Sequence, residues 1–169
     1  MSGEEMPEAD LMTLFEAARW APSSYNNQPW RILYARRGTE HWQLFLDLLV
    51  DGNKVWVKDA AALLLFASKT TFDFNGKTYP THSFDTGAAW QNLALQGSLK
   101  GYVVHGMQGF DYEGARTALG IPEEFRIEAM AAVGMPGEKE ALPEKIQVGE
   151  TPSGRKKLAE TVCEGPFHF

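Results

Sequence analysis

One nearly unbroken apolar run constrains the fold of this chain more than any other feature. Ala61 to Ser68 reads Ala-Ala-Leu-Leu-Leu-Phe-Ala-Ser, and no charged residue interrupts it. A run of this length is typical of a β-strand buried on both faces, because buried helices are usually longer. We therefore predict that this segment is the central strand of a sheet.

Other segments predict the helices and strands around this run. Apolar residues between Glu8 and Trp20 recur at the helical spacing i, i+3, i+4, i+7, which predicts an amphipathic helix. Further helices are predicted over residues 40–50, 84–99 and 111–119. Strands are predicted over Trp30–Ala35, Tyr102–His105 and 125–133.

Two turn signals interrupt these elements. Asp51-Gly52-Asn53 predicts a turn before the central strand. Asn75-Gly76 predicts a hairpin or a tight loop after it. Phe72, Phe74 and Tyr79 flank this second turn, and they are candidates either for stacking on a substrate or for packing the loop down.

Length and composition limit the classes of function. The chain has 169 residues, which suits one domain, and its net charge of −6 argues against a nucleic-acid partner. Its one cysteine, Cys163, excludes an internal disulfide and suits a reducing cytoplasm. No apolar run approaches the roughly 20 residues that span a bilayer, and no signal peptide is visible. We therefore predict a cytoplasmic protein with no membrane partner, and we predict no metal site.

The segment 84–99 is apolar on almost every side of its predicted helix. Such a helix has to be buried, and its small residues allow another backbone to approach closely. His82, Ser83 and Asp85 at its start have the composition of a catalytic triad. Triads converge from separated elements, however, and Asp85 is also a plausible helix cap, so we predict no triad here.

The stretch Ala21-Pro22-Ser23-Ser24-Tyr25-Asn26-Asn27-Gln28-Pro29-Trp30 carries the strongest functional signal. Its two prolines end the regular structure on either side, and the small polar residues between them offer hydroxyls, amides and free backbone N–H groups. These groups suit the hydrogen-bonding edge of a flat heterocycle or the oxygens of a sugar-phosphate arm. The alternative is a capped surface loop, because Ser, Asn and Pro are common in turns.

The order of these residues, Ala-Pro-Ser-Ser-x-Asn-x-Gln-Pro-Trp directly after a helix, closely resembles the signature of the nitroreductase family. The members of this family are flavin mononucleotide (FMN) oxidoreductases with an α+β fold. The resemblance implies a central mixed or antiparallel sheet flanked by helices, with the long helix 84–99 at the core of a homodimer. It also implies one domain over residues 1–169, in which 135–169 form an extended C-terminal arm that wraps the partner subunit.

The resemblance also implies which residues bind FMN at the dimer interface. The signature loop lies against the flavin ring and ribityl chain, often from the neighbouring subunit. Asn53 faces the pyrimidine edge of the flavin, and the alternative is an asparagine that only forms the turn. The turn that ends in Gly-Phe directs a backbone N–H at flavin N5, and Arg155 contacts the phosphate unless it belongs to a solvated basic cluster. The predicted cofactor-binding residues are Ser23, Ser24, Asn26, Gln28, Asn53, Met107, Gln108, Gly109 and Arg155.

In one respect the sequence departs from the family pattern. Most members carry an Arg-Arg-Ser-like segment before the first helix, and its basic residues hold the FMN phosphate. Nothing like it precedes Glu8. Either Met1 is an internal methionine of a longer protein, or this protein holds the phosphate in another way.

The function implied by the resemblance is hydride transfer from NAD(P)H through FMN to a nitroaromatic, a quinone or a similar small-molecule acceptor. No catalytic side chain is predicted, because the flavin carries this chemistry. The alternative is a flavin-binding or flavin-free relative without turnover. A third hypothesis keeps the fold and changes the reaction, to reductive dehalogenation or a flavin-modifying chemistry.

Overall fold

The computed structural model describes residues 1–168. The chain forms two compact units, Met1–Glu138 and Lys139–Phe169. The second unit contains two short 3-10 turns, Lys139–Ala141 and Leu158–Glu160, and one short helix. The prediction of a single domain with an arm that begins at residue 135 stays a prediction.

The first unit alternates helices with strands. Its helices are α1 (Glu8–Arg19), α2 (Trp42–Asp47), α3 (Asp51–Val57), α4 (His82–Leu99) and α5 (Tyr112–Ala118), and the helix of the second unit is α6 (Glu144–Gln147). Its strands are β1 (Trp30–Arg36), β2 (Ala62–Lys69), β3 (Val103–Met107) and β4 (Phe125–Gly134). Each predicted helix and strand is present.

The four strands form one sheet in the order β1-β2-β4-β3, and every neighbouring pair is antiparallel. Strand β2 is central, and all its residues from Ala62 to Ser68 are buried. The prediction of a central strand buried on both faces is confirmed. The α+β fold is also confirmed, with an antiparallel sheet.

Helices cover both faces of this sheet, which is why β2 has no polar face. Side chains alternate between the faces of a strand, so Leu63 and Leu65 point to one side and Leu64 and Phe66 to the other. The first pair joins a core with Phe45, Val57 and Ala115, from α2, α3 and α5. The second pair joins a core with Leu11, Leu14, Ala89 and Leu93, from α1 and α4.

The backbone around Asn53 is helical, whereas the sequence predicts a turn there. Asp51-Gly52-Asn53 does not form an isolated turn but begins helix α3. The N–H groups of Asn53 and Lys54 both donate to the carbonyl of Val50, at 2.9 and 3.2 Å, and so close the first helical turn. Pairing of Leu49 with Phe110 fixes the chain just before this point, and this long-range contact overrides the local turn signal.

Helix α4 packs on the sheet through one face only. Within a single chain its buried residues are Asp85, Thr86, Ala89, Leu93 and Gly97. On the opposite side Phe84 and Leu99 are 80% and 83% exposed, and Leu95 is 54% exposed. Part of the apolar set that predicted a helix buried all round therefore faces outward in a single chain, and the homodimer interface stays a prediction.

The hairpin predicted at Asn75-Gly76 is present. Thr71 and Thr78 form an antiparallel bridge, and Gly76 adopts a positive φ of 68° that glycine tolerates. In residues 1–168 we find no helix that is both long enough and apolar enough to cross a membrane.

Candidate functional site

The loop between α1 and β1, residues 21–29, is held in an unusual backbone conformation. It contains a 3-10 turn, Ser24–Asn26. Tyr25, Asn26 and Gln28 have φ values of 53°, 53° and 48°. Residues other than glycine rarely adopt this left-handed region, at a cost of about 1–3 kcal/mol each. Contacts with the surrounding structure must therefore maintain the loop.

The four predicted site residues in this loop divide into two pairs. The hydroxyl of Ser23 accepts from the Gln28 N–H at 3.0 Å, and the Gln28 side-chain amide donates to the Asn26 carbonyl at 3.0 Å. Ser23 and Gln28 therefore shape the loop. The side chains of Ser24 and Asn26 make no hydrogen bond with the residues that the structure describes. They are the pair that is free to bind a ligand.

A buried carboxylate on α4 contacts the loop. Oδ2 of Asp85 accepts a hydrogen bond from the Ser24 N–H at 2.9 Å and another from the Tyr79 hydroxyl. Burial, and then the hydrogen bond to Asp85, raise the pKa of Tyr79 to about 12, so its phenol stays a donor at neutral pH. The interpretation of Asp85 as a helix cap is wrong, because α4 has no side-chain cap and this carboxylate faces the loop.

A second group of predicted residues meets near the end of β3. The Asn53 side-chain amide and the Val50 N–H both donate to the Gly109 carbonyl, at 3.0 and 3.1 Å. A Cβ on residue 109 would lie 2.8 Å from Asn53 Nδ2 and 3.0 Å from a methyl of Val50. This close approach requires glycine, and it holds the Asn53 amide in a fixed position.

Met107 and Gln108 precede this turn and differ in exposure. Met107 is 6% exposed and its side chain belongs to the core, so that side chain is not available to a ligand. Gln108 is exposed. The difference follows from strand alternation, which turns Met107 inward at the last position of β3.

The structure does not bring the signature loop and the Asn53–Gly109 group together in one chain. The loop leads into β1 and the Gly109 turn follows β3, and these are the opposite edge strands of the sheet. Three strand spacings separate the edges, which amounts to about 14 Å. Arg155 belongs to the second unit, where its guanidinium donates to Ser153 and to the Gly154 carbonyl.

A polar cluster that the sequence analysis did not foresee lies beneath the start of α4. Ser68, fully buried, donates to Glu128 Oε1 at 2.5 Å and lies 2.7 Å from His82 Nδ1, and Ser83 donates to the same Glu128 oxygen at 2.6 Å. A register shift between Phe66 and Ala67 leaves Glu128 as the extra residue of β4. A catalytic relay needs the hydroxyl and the carboxylate on opposite ring nitrogens, whereas here both face Nδ1.

Comparison with known proteins identifies the family. The nitroreductase family model matches residues 2–53 and 42–135, which together span well over half of the chain. The chain belongs to the nitroreductase family. A curated relative, an uncharacterised 15.4 kDa protein of Mycolicibacterium smegmatis, is 30% identical over 144 residues, which cover 80% of this chain and 95% of that protein.

Solved structures agree with membership of the nitroreductase family. A crystal structure of an oxidoreductase containing FMN is 42% identical, with a TM-score of 0.95 over 99% of this chain and 86% of that chain. A Desulfovibrio desulfuricans protein in complex with FMN is 25% identical, with a TM-score of 0.73 over 98% and 88% of the two chains. A nitroreductase family protein of Streptococcus pneumoniae, 20% identical, shares the fold with a TM-score of 0.76 over 96% and 92%.

The residues of this nitroreductase-family chain fit a flavin on two grounds. The missing side chain at Gly109 lets the Asn53 amide pack against this turn, and the oxygen of that amide has no hydrogen-bond partner among residues 1–168. At the other edge of the sheet, the hydroxyl of Ser24 and the side-chain amide of Asn26 have no hydrogen-bond partner within residues 1–168. Amide and hydroxyl groups of this kind match the donors and acceptors of a flavin ring and its ribityl chain.

Proposed function

We propose that this nitroreductase-family protein is an FMN-dependent oxidoreductase. In this proposal a hydride passes from NAD(P)H through the flavin to a nitroaromatic, a quinone or a similar small-molecule acceptor. Support comes from the 42%-identical structure, which is an oxidoreductase containing FMN, and from the fit of the two polar groups to a flavin. The single cysteine supports a cytoplasmic setting for the reaction.

The observation that carries the proposal is the position of the two polar groups on opposite edges of one sheet. Within one chain two strands lie between these groups, so in this proposal the flavin takes its second polar group from another copy of the chain. A second copy that presents its signature loop to the Asn53–Gly109 group completes the site. The exposed apolar face of α4, with Phe84, Leu95 and Leu99, supplies a surface for such a homodimer.

The roles proposed for the side chains are binding and orientation. The Asn53 amide pairs with the pyrimidine edge, and backbone groups from Met107 to Gly109 donate to the central ring near N5. Ser24 and Asn26 of the partner subunit hold the ribityl side, and Arg155 contacts the phosphate. FMN when bound supplies the hydride chemistry, so the site needs no acid–base side chain, and none is assigned.

The test is a spectroscopic titration of the purified protein with FMN, with the Asn53→Leu variant alongside. Saturable binding with a shifted flavin spectrum is expected, followed by bleaching under anaerobic NADH or NADPH and recovery with a nitroaromatic or quinone. Absence of FMN binding by a folded dimer would overturn the proposal. Binding without bleaching by either nucleotide would instead establish a flavin-binding relative without turnover.

A further inference from the structure

Contacts from several segments hold the strained backbone of the signature loop, residues 21–29. Within the loop, the Ser23 hydroxyl accepts from the Gln28 N–H, and the Gln28 side-chain amide donates to the Asn26 carbonyl. From outside, the Asp73 N–H donates to the Asn27 side-chain oxygen at 3.0 Å, which ties the loop to the exposed hairpin. The loop carbonyls of Ser24, Gln28 and Pro29 accept from the Tyr79 hydroxyl at 3.4 Å, from Arg31 at 3.2 Å and from the Lys69 N–H at 2.9 Å. The Asp85 carboxylate, which accepts from the Ser24 N–H at 2.9 Å, is the buried charged group that contacts the loop.

We propose that Asp85 is a positioning residue that holds the signature loop in its cofactor-binding conformation. This inference rests on the proposed function, because it assigns the residue that shapes one half of the FMN site. Asp85 does not touch the flavin in this proposal. It acts through the Ser24 backbone, and so directs the free Ser24 hydroxyl and Asn26 amide toward the ligand.

The chemistry of Asp85 suits an anchor. The side chain is only 5% exposed, and a carboxylate offers acceptor oxygens alone. Both of its close donors, the Ser24 N–H and the Tyr79 hydroxyl, converge on the same oxygen, Oδ2. Hydrogen bonds to an ionised acceptor are stronger than those between neutral groups, so one buried charge can hold two segments at once.

Tyr79 extends the anchor to the hairpin. Its ring is fully buried and stacks on Phe72 with the ring centroids 4.2 Å apart. Asp85 therefore joins three segments, namely the loop, the end of the hairpin and the first turn of α4. Because α4 also carries the exposed apolar face of the proposed dimer, the loop is fixed to the helix at the interface.

The test measures the loop without FMN, by hydrogen exchange of the peptide that covers residues 21–29. Asp85→Ala removes the acceptor, whereas Asp85→Asn removes the charge and keeps one acceptor oxygen. Thr86→Val is the matched control, since Thr86 is the next residue on α4, is also buried and has no hydrogen-bond partner for its hydroxyl in the described chain. Peptides from β2 report whether each variant remains folded.

The rate of amide hydrogen exchange in the loop is expected to rise roughly tenfold or more in Asp85→Ala, because one buried hydrogen bond contributes about this factor to an equilibrium. The rise should be smaller in Asp85→Asn. Thr86→Val and the β2 peptides should match the wild type. FMN affinity should fall in the same order as loop exchange rises. If Asp85→Ala disrupts β2 exchange, the milder Asp85→Asn decides the question.

Two results would overturn the proposal. One is unchanged loop exchange in a folded Asp85 variant. The other is faster exchange with unaltered FMN affinity, which would leave Asp85 as a purely structural contact. A wild-type protein that binds no FMN would instead remove the proposed function, while the exchange measurement would still report whether Asp85 anchors the loop.

Discussion

The Asn53 side-chain amide lies 3.0 Å from the Gly109 carbonyl oxygen, although 56 residues separate the two in the chain. Pairing of Leu49 with Phe110 brings the two segments together, and the absence of a side chain at Gly109 lets Asn53 approach. The contact uses one amide hydrogen and leaves the amide oxygen free. Asn53 is thus oriented before any ligand arrives, which lowers the entropy lost on binding.

Replacement of Asn53 by Leu should weaken FMN binding. The change leaves a polar flavin atom unpaired, which costs on the order of 1–3 kcal/mol, or roughly tenfold or more in affinity. The measurement is an FMN titration followed by fluorescence. Asn92→Leu is the matched control, since its amide also donates to a backbone carbonyl, that of Ala17 at 3.2 Å, and makes no contact with the Asn53–Gly109 group. Equal affinity in both variants would make Asn53 a structural residue only.

Replacement of Gly109 by Ala should also weaken FMN binding, and for a steric reason. The added Cβ would lie 2.8 Å from Asn53 Nδ2, so the amide must move. Gly52→Ala in α3 is the control, because a Cβ there meets nothing within 4 Å and alanine favours a helix by up to about 1 kcal/mol. FMN titration should therefore show weaker binding in Gly109→Ala only, and thermal unfolding should show that Gly52→Ala does not destabilise the fold. Wild-type FMN affinity in Gly109→Ala would contradict the arrangement.

Charge on the outer face of α4 should disrupt the proposed dimer. Interfaces of obligate homodimers bury roughly 2,000–5,000 Å² in total. Glutamates buried there without a charged partner would destabilise the association of the two subunits. The double change Leu95→Glu and Leu99→Glu is expected to give a folded monomer in sedimentation experiments and to abolish FMN binding. Leu44→Glu, on the half-exposed side of α2, should remain dimeric. A monomeric wild type at micromolar concentration would refute the interfacial site.

Replacement of Arg155 by Ala should reduce the preference for FMN over riboflavin. A guanidinium can grip phosphate oxygens in two places, and a partly exposed pair of this kind is screened by salt. Wild-type FMN affinity should therefore fall as salt rises, while the variant should bind FMN and riboflavin almost equally. Lys145→Ala, an exposed lysine of the same unit, is the control. A large FMN advantage that persists in Arg155→Ala would assign the phosphate to other residues.

The raised pKa of Tyr79 predicts a loss of stability at alkaline pH. Burial and Asp85 favour the protonated phenol in the folded state, with a pKa of about 12 against about 10 for an ordinary tyrosine. The stabilising contribution is complete below pH 10 or so and is lost as the pH rises toward 12. Thermal unfolding midpoints should therefore fall more steeply over this range in the wild type than in Tyr79→Phe.

Tyr102→Phe provides a comparison for this alkaline effect. The hydrogen bond to Asp10, followed by burial, raises the pKa of Tyr102 to about 12 as well. Tyr102→Phe should therefore also weaken the fall of the unfolding midpoint with pH over this range. The effects of Tyr79→Phe and Tyr102→Phe should be additive, because the two tyrosines contact different carboxylates. Identical slopes in the wild type and both variants would show that neither phenol is linked to folding.

Local patterns in the sequence determined the elements of this fold. The apolar run 61–68 and the helical spacing in α1 predicted their structures because each segment must bury particular faces, whatever its partners are. The motif from Ala21 to Trp30 identified the family for a related reason. Its small polar residues and prolines act on their own neighbours, so a short stretch is recognisable without knowledge of the fold.

Contacts between distant segments were decided only by the tertiary structure. The sequence did not show that Asp85 faces Ser24 rather than capping its own helix, or that the extra residue Glu128 meets Ser68 and His82. Nor did any local pattern give the strand order that puts the loop and the Asn53–Gly109 group on opposite edges of the sheet. Such contacts depend on strand order and register. Strand order and register follow from how all segments of the chain bury their apolar surfaces together, and a short stretch of sequence does not contain this information.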